Sequence, residues 1–324
     1  MAQGFLARKS GRAVRRIIKG LSKTRIARTT AARSLFFWLA GGFSPVLLSE
    51  VGAHRFFVDS SDEGIGRSVF LSGAFEHEWA EKVFNLLKSL NCADFQGKTL
   101  IDVGANIGTT CIPAIRQHGF AHALAFEPAP RSFALLQYNI INNGLQDAIS
   151  AFQIALSSEN GDVPFEFAPL NPGDNRVRMV SLPQGADVGP ERDRESQREV
   201  IHVAARTFDS LVDEGVIPLT ELGLVWMDAQ GHEGHILKGA QSLLRSPVPV
   251  LTEFWPYGLR RAGGLALLEE IIASHYTHFV DTRAAETGER RDLVPASEVW
   301  NLKEKYPEEK YQDMDSTDLL LVKL

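Results

Sequence analysis

Short apolar runs alternate along this chain with segments whose apolar residues recur at helical spacing, the order of a doubly wound α/β sheet. Trp79, Val83, Phe84, Leu86, Leu87 and Leu90 mark one face of a helix over Glu76–Leu90, which leads through Gly97 into a β-leaning run at Thr99–Val103. A helix at about Thr109–His118, a strand at Ala121–Phe126, a helix at Arg131–Asn142 stopped by Asn143-Gly144, and a strand at Ile149–Leu156 complete the first half. Between Ser157 and Arg198 the pattern lapses into Pro, Gly and charge, with a short strand at Val163–Phe167 and a hydrophilic run, Gly185–Glu199, of loop composition. Order resumes with strand Val200–Ala204, helix Phe208–Glu214, strand Leu222–Met227, helix Gly234–Leu244, strand Val248–Phe254, helix Leu265–Ser274, and strands near Tyr276–Asp281 and Leu319–Lys323. No internal repeat is visible.

Ligands in such sheets bind beyond the carboxyl ends of the strands, and two of those ends carry acids. The first is Leu100–Thr110, LIDVGANIGTT, where Asp102 precedes a loop built on Gly104, Asn106 and Gly108, small residues that let backbone approach a ligand. The second is Glu127, nineteen positions after Gly108, where a nucleoside-binding sheet keeps its ribose acid. A dinucleotide site wants G-x-G-x-x-G and a P-loop wants G-x-x-x-x-G-K-[ST]. Neither is present, which argues against an NAD-dependent dehydrogenase. A carboxylate at the loop's mouth repels phosphate and suits a cation, so the sign of the site favours S-adenosylmethionine, with Glu127 accepting from both ribose hydroxyls.

Five blocks in order carry a resemblance to a known family: the helix leading into IDVGANIG, the FEP acid, LLQYNIINNGL at Leu135–Leu145, RTFDSLV at Arg206–Val212, and MDAQGHEGHILKGA at Met227–Ala240. From about Phe75 onward the chain resembles the FkbM-type S-adenosylmethionine-dependent methyltransferases. One departure is that the family's usual K-I-D-V-E-G reads Trp226-Met-Asp-Ala-Gln-Gly231, so a lysine and a glutamate are replaced by Trp226 and Gln230. The resemblance implies a Rossmann-like domain over 51–324, with an insertion at 157–198 and a seven-stranded, largely parallel sheet whose last strand runs antiparallel. It implies methyl transfer to a hydroxyl on a sugar or small secondary metabolite. A cofactor-binding module without turnover is the alternative.

Asp102, Gly104, Asn106, Gly108, Glu127 and Ala155, at the end of the third strand where adenine would lie, are then the expected cofactor residues, and Asp228 with His232 the expected acceptor residues. Methyl transfer to an alcohol is an in-line displacement that requires alignment and loss of a proton, so Asp228, His232 and, further off, Glu233 and His235 are candidate bases. His232 and His235 stand three apart, but the pattern is not HExxH, and no metal is expected. Asn139 and Asn143 read as structural, whereas Asn106 fits either a turn or a ligand contact. Arg176 and Arg178 fit either a clasp for an anionic acceptor or solvated loop residues, and Trp255 and Tyr257 either flat pocket walls or packing.

Composition adds an asymmetry: 324 residues, 44% hydrophobic, suit a full α/β core, but the net charge of −6 is unevenly spread. Ten of the 34 basic residues and none of the acids precede Glu50, leaving 24 basic residues against 40 acidic ones in the rest, an acidic body unsuited to nucleic acid. Residues 1–50 therefore form a separate basic extension, whose apolar stretch Ser34–Leu48 is shorter than the ~20 residues a spanning helix needs. It fits a solvated extension, a segment lying on an anionic membrane surface, or an organelle-type targeting segment. Only Cys92 and Cys111 are present, so a reducing, cytoplasmic setting is the expectation, with peripheral membrane contact through residues 1–50 left as one of those three readings.

Overall fold

The computed structural model describes residues 29–50, 54–72, 77–90, 95–168, 171–178, 197–285, 292–306 and 316–324, in two compact units, Met1–Phe75 and Glu76–Leu324. The basic segment before Thr29, Cys92, the side chain of Trp79 and the hydrophilic run up to Ser196 lie outside the described residues.

In the first unit the Thr29 hydroxyl caps a helix over Thr30–Gly41 by accepting from the Ala32 amide. Strands β1 (Val46–Ser49) and β2 (Phe56–Asp59) pair antiparallel, and Asp62 accepts the Gly64 and Gly66 amides at the start of a helix over Ile65–Ser72. Phe37 is buried against Phe70, and the Arg33 guanidinium donates to the Phe70 carbonyl while lying 4.8 Å above its ring.

The second unit is built on one mixed sheet. Its strands are β3 (Thr99–Val103), β4 (His122–Phe126), β5 (Ile149–Phe152), β10 (Leu222–Met227), β11 (Val250–Phe254), β12 (His278–Asp281), β13 (Val294–Pro295) and β14 (Thr317–Val322), in the order β13-β12-β14-β11-β10-β3-β4-β5. The five strands β5-β4-β3-β10-β11 run parallel, and β14 is antiparallel to both its neighbours, β11 and β12. The antiparallel last strand matches the expectation; the two-residue β13 makes eight strands among the described residues where seven are expected. Every residue of β3 and β10 is buried, as central parallel strands covered on both faces require, which explains the unbroken apolar run of β10 and the run of β3, interrupted only by the buried polar residues Thr99 and Asp102. The order reverses between β3 and β10, so the loops after them flank the switch point where such sheets bind ligands.

A second sheet departs from the expected layout. Strands β6 (Ala155–Leu156), β7 (Gly161–Glu166), β8 (Arg176–Val177) and β9 (Val200–Arg206) form a four-stranded sheet in the order β6-β9-β7-β8. The apolar run Ile149–Leu156 is therefore two strands in two sheets: Phe152 pairs with Phe126 in the main sheet, and Ala155 pairs with Ala205 in the small one. The expected helix Gly234–Leu244 is likewise two, Glu233–Lys238 and Gln241–Arg245. They break at Gly239, where an added Cβ would stand 2.3 Å from the Ser157 carbonyl oxygen. A helix over Pro256–Arg261, opened by proline at its first position, was not anticipated from the pattern.

Candidate active site

Two loops are clamped together at the switch point. The Asp228 amide donates to the Val103 carbonyl at 3.0 Å, and Gly104 has φ +81° with its Cβ position 1.8 Å from the Asp228 carbonyl oxygen, so no side chain fits there. The Gly104 and Ala105 amides donate to the Phe126 carbonyl, which brings the glycine loop against the end of β4. Gly108, at φ +93°, has its Cβ position 2.9 Å from Ile112 and 3.0 Å from Leu136, closing the loop onto the two helices that follow β3 and β4. Asn139, fully buried, donates to the Ile107 carbonyl and so holds the loop's outer wall, and Asn143 donates to the Asn139 carbonyl at the end of the same helix.

Asp102, Gly104, Asn106, Gly108, Glu127 and Asp228 are thus gathered in one place. Asp102 is buried and accepts the Cys111 amide at 3.1 Å, which ties it to the start of the following helix. Glu127 accepts the Asn106 amide on one oxygen at 2.9 Å and the Ala129 amide on the other at 2.7 Å, leaving each oxygen a further lone pair. Asn106 takes a left-handed φ of 48°, and its side-chain oxygen is buried without a hydrogen-bond partner among the described residues. Asp228 keeps accessible surface, and Gln230 donates from its side-chain nitrogen to Asp228 at 2.7 Å and to Glu253 at 3.2 Å. Gln230 and Glu253 escaped the sequence reading because they meet only through the sheet; the left-handed φ of 52° at Gln230 leaves no local signature.

The field of this site is negative. Burial pushes Asp102 and Glu127 up to about 7, and repulsion from Asp228 adds to both. Protein around Asp228 raises its carboxyl as well, against hydrogen bonds from Gln230 that pull it back. Glu233 is fully buried and shapes the loop, accepting the Ala229 and Gly231 amides on one oxygen while the other has no partner; burial pushes it up to about 7. A folded carboxyl that holds its proton to about 7, when the ordinary value is 4.5, contributes stability fully below about pH 4.5 that is lost as pH rises through 7. Glu233→Gln should therefore gain on the wild type in thermal midpoint by a few degrees at about pH 8, and show no gain at about pH 4. Scanning calorimetry at the two pH values checks the sign.

Other candidates are placed elsewhere. His232 is buried with its Nε2 2.9 Å from the Ser157 hydroxyl, and burial, reinforced by His235, pushes its pKa down to about 3, so the ring is neutral. Its imidazole stacks on that of His235, whose Nε2 lies 2.8 Å from the Ala262 carbonyl oxygen, so the two rings direct these nitrogens to separate partners. Ala155 is spent on the core of the small sheet with Ala129, Val203 and Ala205, which corrects its expected place at the end of a main-sheet strand. Arg176 and Arg178 do not project as free loop residues: both pair with buried Glu166, at 3.0 and 2.5 Å, and Arg198 joins them with Asp174 at 2.5 Å. Tyr257 is a core residue, whereas Trp255 is half-buried, its ring filling the space over Gly258, and the Arg176 guanidinium lies 5.4 Å from the ring. Trp226, in the place of the family's lysine, is buried 5.8 Å from the Phe84 ring.

The sequence pattern described as the Methyltransferase FkbM domain matches residues 102–285, more than half of the chain, from Asp102 through Glu127 and Asp228. Hexuronic acid methyltransferase AglP of Haloferax volcanii is 30% identical over 222 residues, covering 67% of this chain and 78% of the relative. The 2-O-methyltransferase NoeI of Sinorhizobium fredii is 28% identical over 160 residues, covering 48% of this chain and 62% of the relative. A solved structure, methyltransferase FkbM from Methylobacillus flagellatus, aligns with a TM-score of 0.39 at 14% identity, over 69% of this chain and 43% of that one. With its glycine loop, Glu127 and Asp228 inside the matched span, the chain belongs to the FkbM methyltransferase family.

Proposed function

We propose that this chain transfers the methyl group of S-adenosylmethionine to a hydroxyl on a sugar or other small metabolite. The observation that carries the reading is the convergence of Glu127, with one lone pair left on each oxygen, and the unpartnered Asn106 side-chain oxygen beside an accessible Asp228. These groups fit the cofactor: Glu127 accepts from two ribose hydroxyls, and the Asn106 oxygen accepts from a ligand donor such as an ammonium. Asp102, Glu127 and Asp228 together favour a cation over a diphosphate. The cofactor, when bound, supplies an electrophilic methyl group. The protein's part is to align the acceptor and to remove its proton.

Asp228 is the base in this reading. Gln230 holds its Oδ1, and the carboxylate stands at the strand end with surface open to a substrate. A raised pKa brings a carboxylate nearer the working pH, which suits proton abstraction. His232 is a neutral positioning group that fixes Ser157 beside the loop. Trp255 offers a flat apolar wall next to Glu253. The names of the relatives support an oxygen acceptor on a sugar: one is a 2-O-methyltransferase and the other a hexuronic acid methyltransferase.

The test is an incubation of the full chain with S-adenosylmethionine and a panel of neutral sugars, uronic acids and hydroxylated small metabolites, following release of S-adenosylhomocysteine. Acceptor-dependent release and a methyl ether on the product are expected. Binding of the cofactor with no turnover on any acceptor would instead favour the idle-module reading.

A further inference from the structure

We propose that the face formed by the Thr30–Gly41 helix and Phe43 docks onto an anionic lipid bilayer, independently of methyl transfer. The helix turns Phe37 inward, 3% exposed, and leaves Leu35, Phe36, Trp38 and Leu39 at 59, 57, 73 and 48% exposure, with Phe43 at 91% beyond its end. Large apolar side chains left in water together mark an interaction surface. Leu35 and Leu39, four residues apart, line one stripe of the helix, Trp38 flanks it, and Phe43 follows just past the helix end.

Charge selects the occupant. The segment up to Ser49 carries ten basic residues and no acid, whereas the remainder has 24 basic residues against 40 acidic ones. The apolar stripe is therefore fused to the one strongly cationic stretch of an otherwise acidic chain, the combination that lays a helix on a negatively charged membrane surface with Trp, Phe and Leu in the acyl boundary. A second copy of the chain is disfavoured on the same ground, because pairing the stripes would bring two such cationic segments together. The Thr30–Gly41 helix has 12 residues, and no described helix is long and apolar enough to cross a membrane, so the contact is with the surface.

The experiment is cosedimentation of the full chain with vesicles of phosphatidylcholine alone and with about a third phosphatidylserine. Binding to the anionic vesicles at least tenfold tighter than to neutral ones is expected, with release at about 0.5 M salt. Trp38→Glu with Phe43→Glu should lose at least tenfold in vesicle affinity while keeping the wild-type circular dichroism spectrum, since both side chains are exposed. Arg12→Gln with Arg15→Gln and Arg16→Gln should weaken binding and its salt dependence. Absence of binding, equal binding to neutral vesicles, or unchanged binding by the Trp38/Phe43 variant would overturn the proposal. So would a wild-type dimer on gel filtration that this variant abolishes.

Discussion

Asp228→Asn should lower kcat by about 10²- to 10⁴-fold and leave cofactor affinity within a few-fold. Asparagine keeps the size of the side chain and a hydrogen-bonding oxygen, so the loop between β10 and the next helix, held by Glu233 and by the contact of Gly104 with the Asp228 backbone, has no reason to move. What disappears is the basic oxygen. A companion variant separates proton abstraction from scaffolding: Gln230→Glu replaces the amide that donates to both Asp228 and Glu253 with a third carboxylate. Loss of that donated bond and added repulsion both raise the Asp228 pKa, so the acid limb of the kcat profile should move to higher pH by about one unit. A structural role alone would lower activity equally at every pH. Unchanged turnover in Asp228→Asn would remove Asp228 from the chemistry.

The second large effect is on binding. Glu127→Gln should weaken S-adenosylhomocysteine by roughly 10²-fold, since it replaces an acceptor pair for two ribose hydroxyls with one acceptor and one donor, and hydrogen bonds to a charged group contribute about 1.5–3 kcal/mol each. The glutamine oxygen can retain one of the two backbone bonds, to Asn106 or to Ala129, which makes the change milder on the fold than alanine. Burial holds Glu127 up to about 7 in the free protein, and the ionised form is the one that accepts on both oxygens. Wild-type affinity should therefore rise as pH increases through about 7 and level off above it, and Glu127→Gln should flatten that rise. A variant that binds as tightly as the wild type would displace Glu127 from the site.

The parts of the fold that were legible in the sequence are those whose signal is local. Leu222–Met227 is an unbroken apolar run, and Thr99–Val103 is β-leaning with Asp102 inside it, because both faces of β3 and β10 are buried, and the helix over Pro130–Asn142 stops where Asn143-Gly144 allows it. The small sheet was misread because β6 and β8 are two residues long and gain their identity from partners about 50 and about 10 positions away, Ala205 and Phe165. Gly239 looked like an ordinary residue within one helix; only its contact with Ser157 shows why the helix must break there. At the site, spacing alone placed Asp102, Glu127 and Asp228 at strand ends. The pairing of Arg176 and Arg178 with Glu166 is not legible in the sequence, because Glu166 lies on a neighbouring strand. The clamp of Gln230 on Glu253 was hidden because it joins the ends of two parallel strands separated by a helical crossover.

Whether the loops after β3, β4 and β10 hold S-adenosylmethionine is decided by calorimetric titration of the purified full chain with S-adenosylhomocysteine, and separately with NAD, at about pH 8, where Glu127 is largely ionised. Micromolar binding of S-adenosylhomocysteine at one site per chain and no heat with NAD are expected. Binding of NAD, or the absence of any binding by S-adenosylhomocysteine, would contradict the assignment.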